Sequence, residues 1–316
     1  MRRLGEAPRA DGTPVDGWAP VVEDDAFTAL LRRGAVLHRL ATGAYWSEGP
    51  VWLPDDGSVL WSDIHNDRVL RWHAEDGVST FLQPAEFQNG HILDRDGSVL
   101  ACSHGHRRVE RLGRDGSLTP VVERWQGRRF NSPNDVIVKS DGTIWFSDPI
   151  YGIRSDEEGH QAESEIGDSL VFRFDPATGD VDPVTDWVEE PNGLAFSPDE
   201  STLYVSDTSA AFRTDGRGNR HIVAFDVVDG RSLANPRAFH VMETGLSDGF
   251  RVDAWGNVWT SGRDGLHVIA PDGHRLGRIA LPEVSANLVF GGPDRDRLFI
   301  AATTSLYSLD VAVRGA

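Results

Sequence analysis

The chain has 316 residues, 39% hydrophobic and 25% charged, an ordinary balance for a folded globular protein and enough length for one large all-β domain or two smaller ones. With 31 basic against 49 acidic side chains the formal charge is −18, which opposes a phosphate backbone and makes nucleic acid an unsuitable partner. No apolar run approaches the roughly 20 residues of a membrane span, and the single cysteine, Cys102, leaves neither an intrachain disulfide nor a cysteine-based metal cage.

From the N-terminus, residues 1–34 read as an extension. "MRRLGEAPRADGTPVDGW" opens on a pair of arginines but has no apolar stretch of a secretory signal, so a cytoplasmic location is expected. "AVLHRLA" at 35–41 is strand-like and has no partner nearby in sequence. A hairpin pattern then recurs six times. Its first strands begin at "EGPVW" (Glu48), "NGHIL" (Asn89), "NDVIV" (Asn134), "NGLAF" (Asn192), "DGFRV" (Asp248) and "NLVF" (Asn287). Each meets a turn such as "KSDG", and then a second strand such as "SVLWSD", "TIWFSD" or "TLYVSD". Most units continue into a third strand. The anchors are 41, 45, 58, 56 and 39 residues apart, a period that with three or four short strands per unit predicts a six-bladed β-propeller over residues 35–316. The last unit lacks a fourth strand, and segment 35–41 is expected to supply it and close the ring. The two longest units carry polar insertions, 151–168 and 208–220, expected as loops over one face of the disc.

All six anchors carry a side-chain oxygen, and if each innermost strand begins at the same height they converge on the central channel. Asn and Asp also favour such positions for turn reasons, but a complete set of six points to a ligand. Two carboxylates among amide oxygens, with no cysteine, suit a hard cation, Ca²⁺ first, then Mg²⁺ or Mn²⁺, with Zn²⁺ less natural. His104 ends the second strand of its unit and so falls beside Asn89, where it either contacts substrate or hydrogen-bonds within the wall. Asp63, Asp148 and Asp207 end the equivalent strands of three other units, and a supporting role is expected for them rather than direct chemistry.

"WSEGPVW", "RFNSPNDVIVKSDGTIWFSDP", "PNGLAFSPD" and "DGFRVDAWGNVW" resemble, in order, motifs of the SMP-30/gluconolactonase/luciferin-regenerating-enzyme family, from about Tyr45 to the C-terminus. The resemblance implies a six-bladed propeller with a catalytic divalent metal held by Glu48, Asn134, Asn192 and Asp248, and a substrate-binding pair Arg129 and Asn131. Whether Asn131 or Asn134 is the second-motif ligand stays open on the motif, and the repeat register favours Asn134. The expected reaction is hydrolysis of a sugar lactone, with Asp248 as ligand and general base, Asn89 and His104 near the substrate, and Asp148, Asp207 and Asn287 in support. A phosphotriester or other ester is the alternative substrate, and a non-catalytic binding scaffold the alternative class.

Overall fold

The structure is a computed structural model and describes residues 12–316. Residues 1–11, part of the expected extension, lie outside the described residues. Six antiparallel sheets succeed one another along the chain, and the architecture is the six-bladed propeller that the repeat predicts. Blade one comprises Ser47–Leu53, Ser58–Asp63, Arg68–His73 and Gly77–Leu82. Blade two comprises Gln88–Leu93, Val99–Ser103, Arg108–Leu112 and Leu118–Val122. A two-stranded hairpin, Arg124–Trp125 with Arg128–Arg129, leads into blade three: Val136–Val138, Ile144–Asp148, Leu170–Phe174 and Val181–Thr185. Blade four is Pro191–Phe196, Thr202–Asp207, His221–Val228 and Ser232–Val241. Blade five is Phe250–Val252, Val258–Thr260, Gly265–Ile269 and Arg275–Ala280, and blade six starts with Ser285–Gly291, Arg297–Ala302 and Ser305–Asp310.

Blade six takes its fourth strand, His38–Thr42, from the other end of the chain, with Leu306 opposite Ala41 and Tyr307 opposite Arg39. Residues ahead of it extend the sheets further: Thr13–Pro14 pairs with the closing strand, and Pro20–Val22 pairs with the outer strand of blade five. Between them and the closing strand a short helix, Ala26–Leu30, buries Phe27 and Leu30 among Trp259, Leu266, Val268, Ile279, Leu288 and Leu298, in the seam between blades five and six. Among the described residues no helix is long and apolar enough to cross a membrane.

The strands are short because turn chemistry ends them. In "KSDG", Gly142 takes φ +88°, and Asp141 Oδ1 accepts from the backbone N and hydroxyl of Thr143 at 3.0 and 2.7 Å. Alternation then sends one face of each blade into the seam with its neighbour. Phe130, Phe146 and Phe172 meet with ring centroids 5.0 to 5.5 Å apart in the cluster that also buries Cys102.

Toward the axis the inner strands approach backbone to backbone. Gly90 N donates to Asn134 O at 2.8 Å, and Gly193 N to Asp248 O at 3.0 Å. This contact explains the glycine after most anchors, since a Cβ on Gly193 would lie 2.3 Å from Asp248 O and one on Gly49 only 1.9 Å from Asn89 O.

Closure by the N-terminal strand makes a direct prediction. Leu40 is 1% exposed and packs with Leu306, Phe299, Trp61 and Trp72 in the seam between blades six and one. Leu40→Ala should cost about 2–5 kcal/mol, read as a lower denaturant midpoint at unchanged slope.

Candidate active site in the central channel

The Ser-Asp dipeptides that end second strands set the anchors in place. In each, the aspartate clamps the loop entering its own blade's inner strand. Asp63 Oδ1 accepts from the N–H groups of Tyr45 and Trp46 at 2.7 and 3.3 Å. Asp148 accepts from Asn131 and Ser132 at 2.8 and 2.9 Å, and Asp207 from Glu189 and Glu190 at 3.0 and 3.4 Å. These donors always lie three and two residues before the anchor. The serine reaches the neighbouring blade: Ser62 Oγ donates to Asn89 O at 2.9 Å and Ser206 Oγ to Asp248 O at 3.0 Å. Asp63, Asp148 and Asp207 are therefore structural clamps in the channel wall.

Blade two has His104 where those blades have aspartate. Its Nδ1 lies 2.9 Å from the carbonyl of Glu158, so Nδ1 carries the proton, and Nε2 is left as an acceptor 3.4 Å from Asn89 Nδ2, with Asn134 Oδ1, itself an acceptor, 3.2 Å away. Burial lowers the pKa of this ring, which keeps it neutral.

The anchors converge. Asn89 Nδ2 donates to Asn134 Oδ1 at 2.7 Å, Asn134 Nδ2 donates to Asn192 Oδ1 at 2.6 Å, and the Asn192 side chain hydrogen-bonds the Asp248 carboxylate. On the other side Asn287 Nδ2 donates to Glu48 Oε2 at 3.0 Å. Five anchors are buried, Glu48, Asn89, Asn134, Asn192 and Asn287, while Asp248 keeps part of its surface open. Burial and the charge of Asp248 hold Glu48 well above the usual carboxylate range. Burial, with the charges of Glu158 and Asp135, pushes Asp248 up to about 7.

Two expected site residues are elsewhere. Asn131 is fully buried, donates its amide to the carbonyls of Asp148 and Asp168 at 3.1 and 2.8 Å, and accepts from Ser164 at 2.6 Å, so it has no free group for a ligand. Of the two second-motif asparagines only Asn134 is in the channel. Arg129 lies in the small hairpin outside the blades, its Nη2 on His106 O at 2.9 Å and its N–H on Glu165 Oε2 at 2.8 Å. Both residues lie upstream of the inner strand, which begins at Val136.

Four further residues belong to the site. Asp135 and Arg251 meet across the channel at 3.3 Å. Tyr151 and Glu158 come from the first insertion. Tyr151 OH lies 2.6 Å from Thr208 Oγ1 and its side chain hydrogen-bonds Asn192, while Glu158 adds its carboxylate 3.6 Å from His65 Nε2. The insertions meet, with Tyr151 4.8 Å from the Phe212 ring and the Arg154 guanidinium 4.0 Å above that ring, so they cover the channel mouth as expected. Gly152 permits this docking, since a Cβ there would lie 2.4 Å from that of His104. Asp135 carried one signal, its place next to an anchor. Glu158 looks like any charge in a polar loop.

Among the described residues no group of three or more His, Cys, Asp or Glu is placed to hold a metal ion. The channel offers a different donor set, two mutually repelling carboxylates with amide oxygens from separate blades, and its chemistry fits a hard divalent cation.

Fold and channel together define a class: a propeller whose inner strands present an oxygen-rich, acidic ring under a cap of inserted loops. Residues 46–304 match the SMP-30/Gluconolactonase/LRE-like region, and the chain belongs to that family. It is 32% identical over 302 residues to a gluconolactonase of Zymomonas mobilis, covering 87% of this chain and 81% of that protein. It is 31% identical to a pentonolactonase of Haloferax volcanii, covering 87% and 94%. The solved structure of a gluconolactonase from Xanthomonas campestris superposes with a TM-score of 0.87 at 38% identity, covering 98% of this chain and 99% of that one.

The raised carboxyls fix a pH dependence for the chelator-treated protein. Both folded pKa values exceed the unfolded value near 4, so the stability the two groups contribute is full below about pH 4 and is lost as pH rises, for Asp248 through about 7. Asp148 and Glu190, pushed up by burial to about 8 and about 7, add to the same slope. The melting temperature of chelated protein should fall from pH 5 to pH 8, and less steeply in Asp248→Asn, whose difference from wild type isolates the channel's share.

Proposed function

We propose that this protein is a divalent-cation-dependent lactonase that opens a sugar lactone by hydrolysis of its ring ester. The observation that carries the reading is the convergence of Glu48, Asn134, Asn192 and Asp248 from four blades on one end of the channel, with Asp248 alone open to an incoming molecule. Its relatedness to a gluconolactonase and a pentonolactonase supports an aldonolactone as the substrate class. The four residues would hold the cation, Ca²⁺ by preference for its all-oxygen donors, and when bound it supplies Lewis acidity toward the lactone carbonyl.

The chain's own groups do the rest. Asp248 takes the proton of the attacking water as general base, and Asn192 orients its carboxylate. Asn89 Nδ2 and the neutral Nε2 of His104 form a donor and acceptor pair for a substrate hydroxyl. Tyr151, whose hydroxyl burial keeps protonated, holds the Asn192 amide from above. The inserted loops exclude bulk water, which strengthens each of these interactions. A binding scaffold would have no use for two carboxylates set against each other.

The test is δ-lactone hydrolysis by pH-stat on chelator-stripped protein titrated with Ca²⁺, Mg²⁺, Mn²⁺ and Zn²⁺, with a phosphotriester assay in parallel. Activity should vanish on stripping and return with one or more of these ions. Asp248→Asn and Glu48→Gln should each lose about 10²-fold or more in kcat. Full activity in stripped protein, or wild-type turnover by Asp248→Asn, would overturn the reading.

A further inference from the structure

Beneath the anchors, a cation already stands in the channel. Arg251, on the inner strand of blade five, is 9% exposed, and its Nη1 reaches Asp135 Oδ2 at 3.3 Å, from the inner strand of blade three two blades away. Nη1 also donates to Phe250 O at 2.8 Å, whereas Nε and Nη2 find no protein acceptor. A guanidinium that uses so little of its hydrogen-bonding capacity is present chiefly as a charge. Asp135 is 1% exposed and shares the Asn287 side chain with Glu48, so the ion pair joins the ligand group through one amide. Asp135 also acts electrostatically on both Glu48 and Asp248.

We propose that Arg251 is a positioning residue that acts through Asp135 to set the charge of the channel group, so that the site accepts a divalent cation and rejects a trivalent one. Three carboxylates, Glu48, Asp135 and Asp248, stand against one guanidinium, which leaves a formal charge of −2. Glu158, part-exposed at the mouth and facing His65, also acts on Asp248, but it is the same in every variant compared below and leaves the differences between them unchanged. Without Arg251 the group carries −3, and without Asp135 it carries −1. Each change falls in a buried pair whose carboxylate acts on both Glu48 and Asp248, in a poorly solvated channel where a unit charge shifts cation affinity on the order of tenfold or more. The inference rests on the divalent-cation reading of the channel but makes no use of catalysis.

Calorimetric titration of chelator-stripped protein with Ca²⁺ and La³⁺ tests it on wild type, Asp135→Asn, Arg251→Gln, Arg251→Lys and the Asp135→Asn/Arg251→Gln double variant. Asp135→Asn should weaken Ca²⁺ about tenfold. Arg251→Gln should tighten Ca²⁺ and raise the La³⁺ to Ca²⁺ affinity ratio about tenfold, while Arg251→Lys and the double variant stay within about threefold of wild type. Arg251→Gln strands a buried carboxylate and is the variant most exposed to misfolding, whereas the double variant removes both charges. If Arg251→Gln does not fold, Ca²⁺ binding about tenfold tighter in the double variant than in Asp135→Asn alone carries the same information. An unchanged affinity ratio across all folded variants, with wild type binding Ca²⁺, would overturn the charge-setting role alone. Failure of wild type to bind Ca²⁺, Mg²⁺, Mn²⁺ or Zn²⁺ would overturn the metal reading and this inference together.

Discussion

The close approach of neighbouring inner strands governs the channel. Where Gly90 N meets Asn134 O and Gly193 N meets Asp248 O, two blades touch backbone to backbone, with no side chain between them. That contact brings each anchor within reach of the next and lets their amides bond head to tail from Asn89 to Asp248. It also explains why the residue after an anchor is so often glycine. Ser62 and Ser206 of the Ser-Asp dipeptides strengthen such junctions by donating to the anchor carbonyl of the following blade.

Packing six polar side chains together in a poorly solvated space has an electrostatic cost that the amide chain only partly offsets. Neutral amides satisfy one another, but the carboxylates of Glu48, Asp135 and Asp248 have between them a single guanidinium, that of Arg251. The channel group of the bare protein is therefore poised to bind positive charge, and the raised carboxyl pKa values express the same imbalance. One electrostatic situation, an excess of buried carboxylate charge, underlies both the raised pKa values and the pH dependence of stability expected from them.

The insertions complete the site from above. Tyr151 and Glu158 reach it through one short helical turn and its continuation, seated on His104 by the missing side chain of Gly152 and joined to the second insertion at Phe212. Tyr151 and Glu158 of this cap both stand close enough to Asp248 to act on it electrostatically. The propeller fixes the chemistry and the cap shapes what may approach it.

Period and turn chemistry made the architecture legible in the chain itself. Six hairpins with Asp- or Gly-containing turns, a unit short of one strand and an unpaired strand-like segment near the N-terminus specify a closed six-bladed ring, because a sheet edge must be paired. The anchors were legible for a related reason: equivalent positions of a repeat occupy equivalent places around the axis. The motif alone left Asn131 and Asn134 open as the second-motif ligand; in the fold Asp148, Asp168 and Ser164 engage the whole Asn131 amide, while Asn134 joins the other anchors. The sequence alone thus determined which residues face the axis, since that follows from local periodicity. Only the tertiary structure decided which of them interact, that Asp135 meets Arg251 across two blades and that Glu158 folds back over the mouth, because such contacts join segments up to 239 residues apart that no local pattern relates.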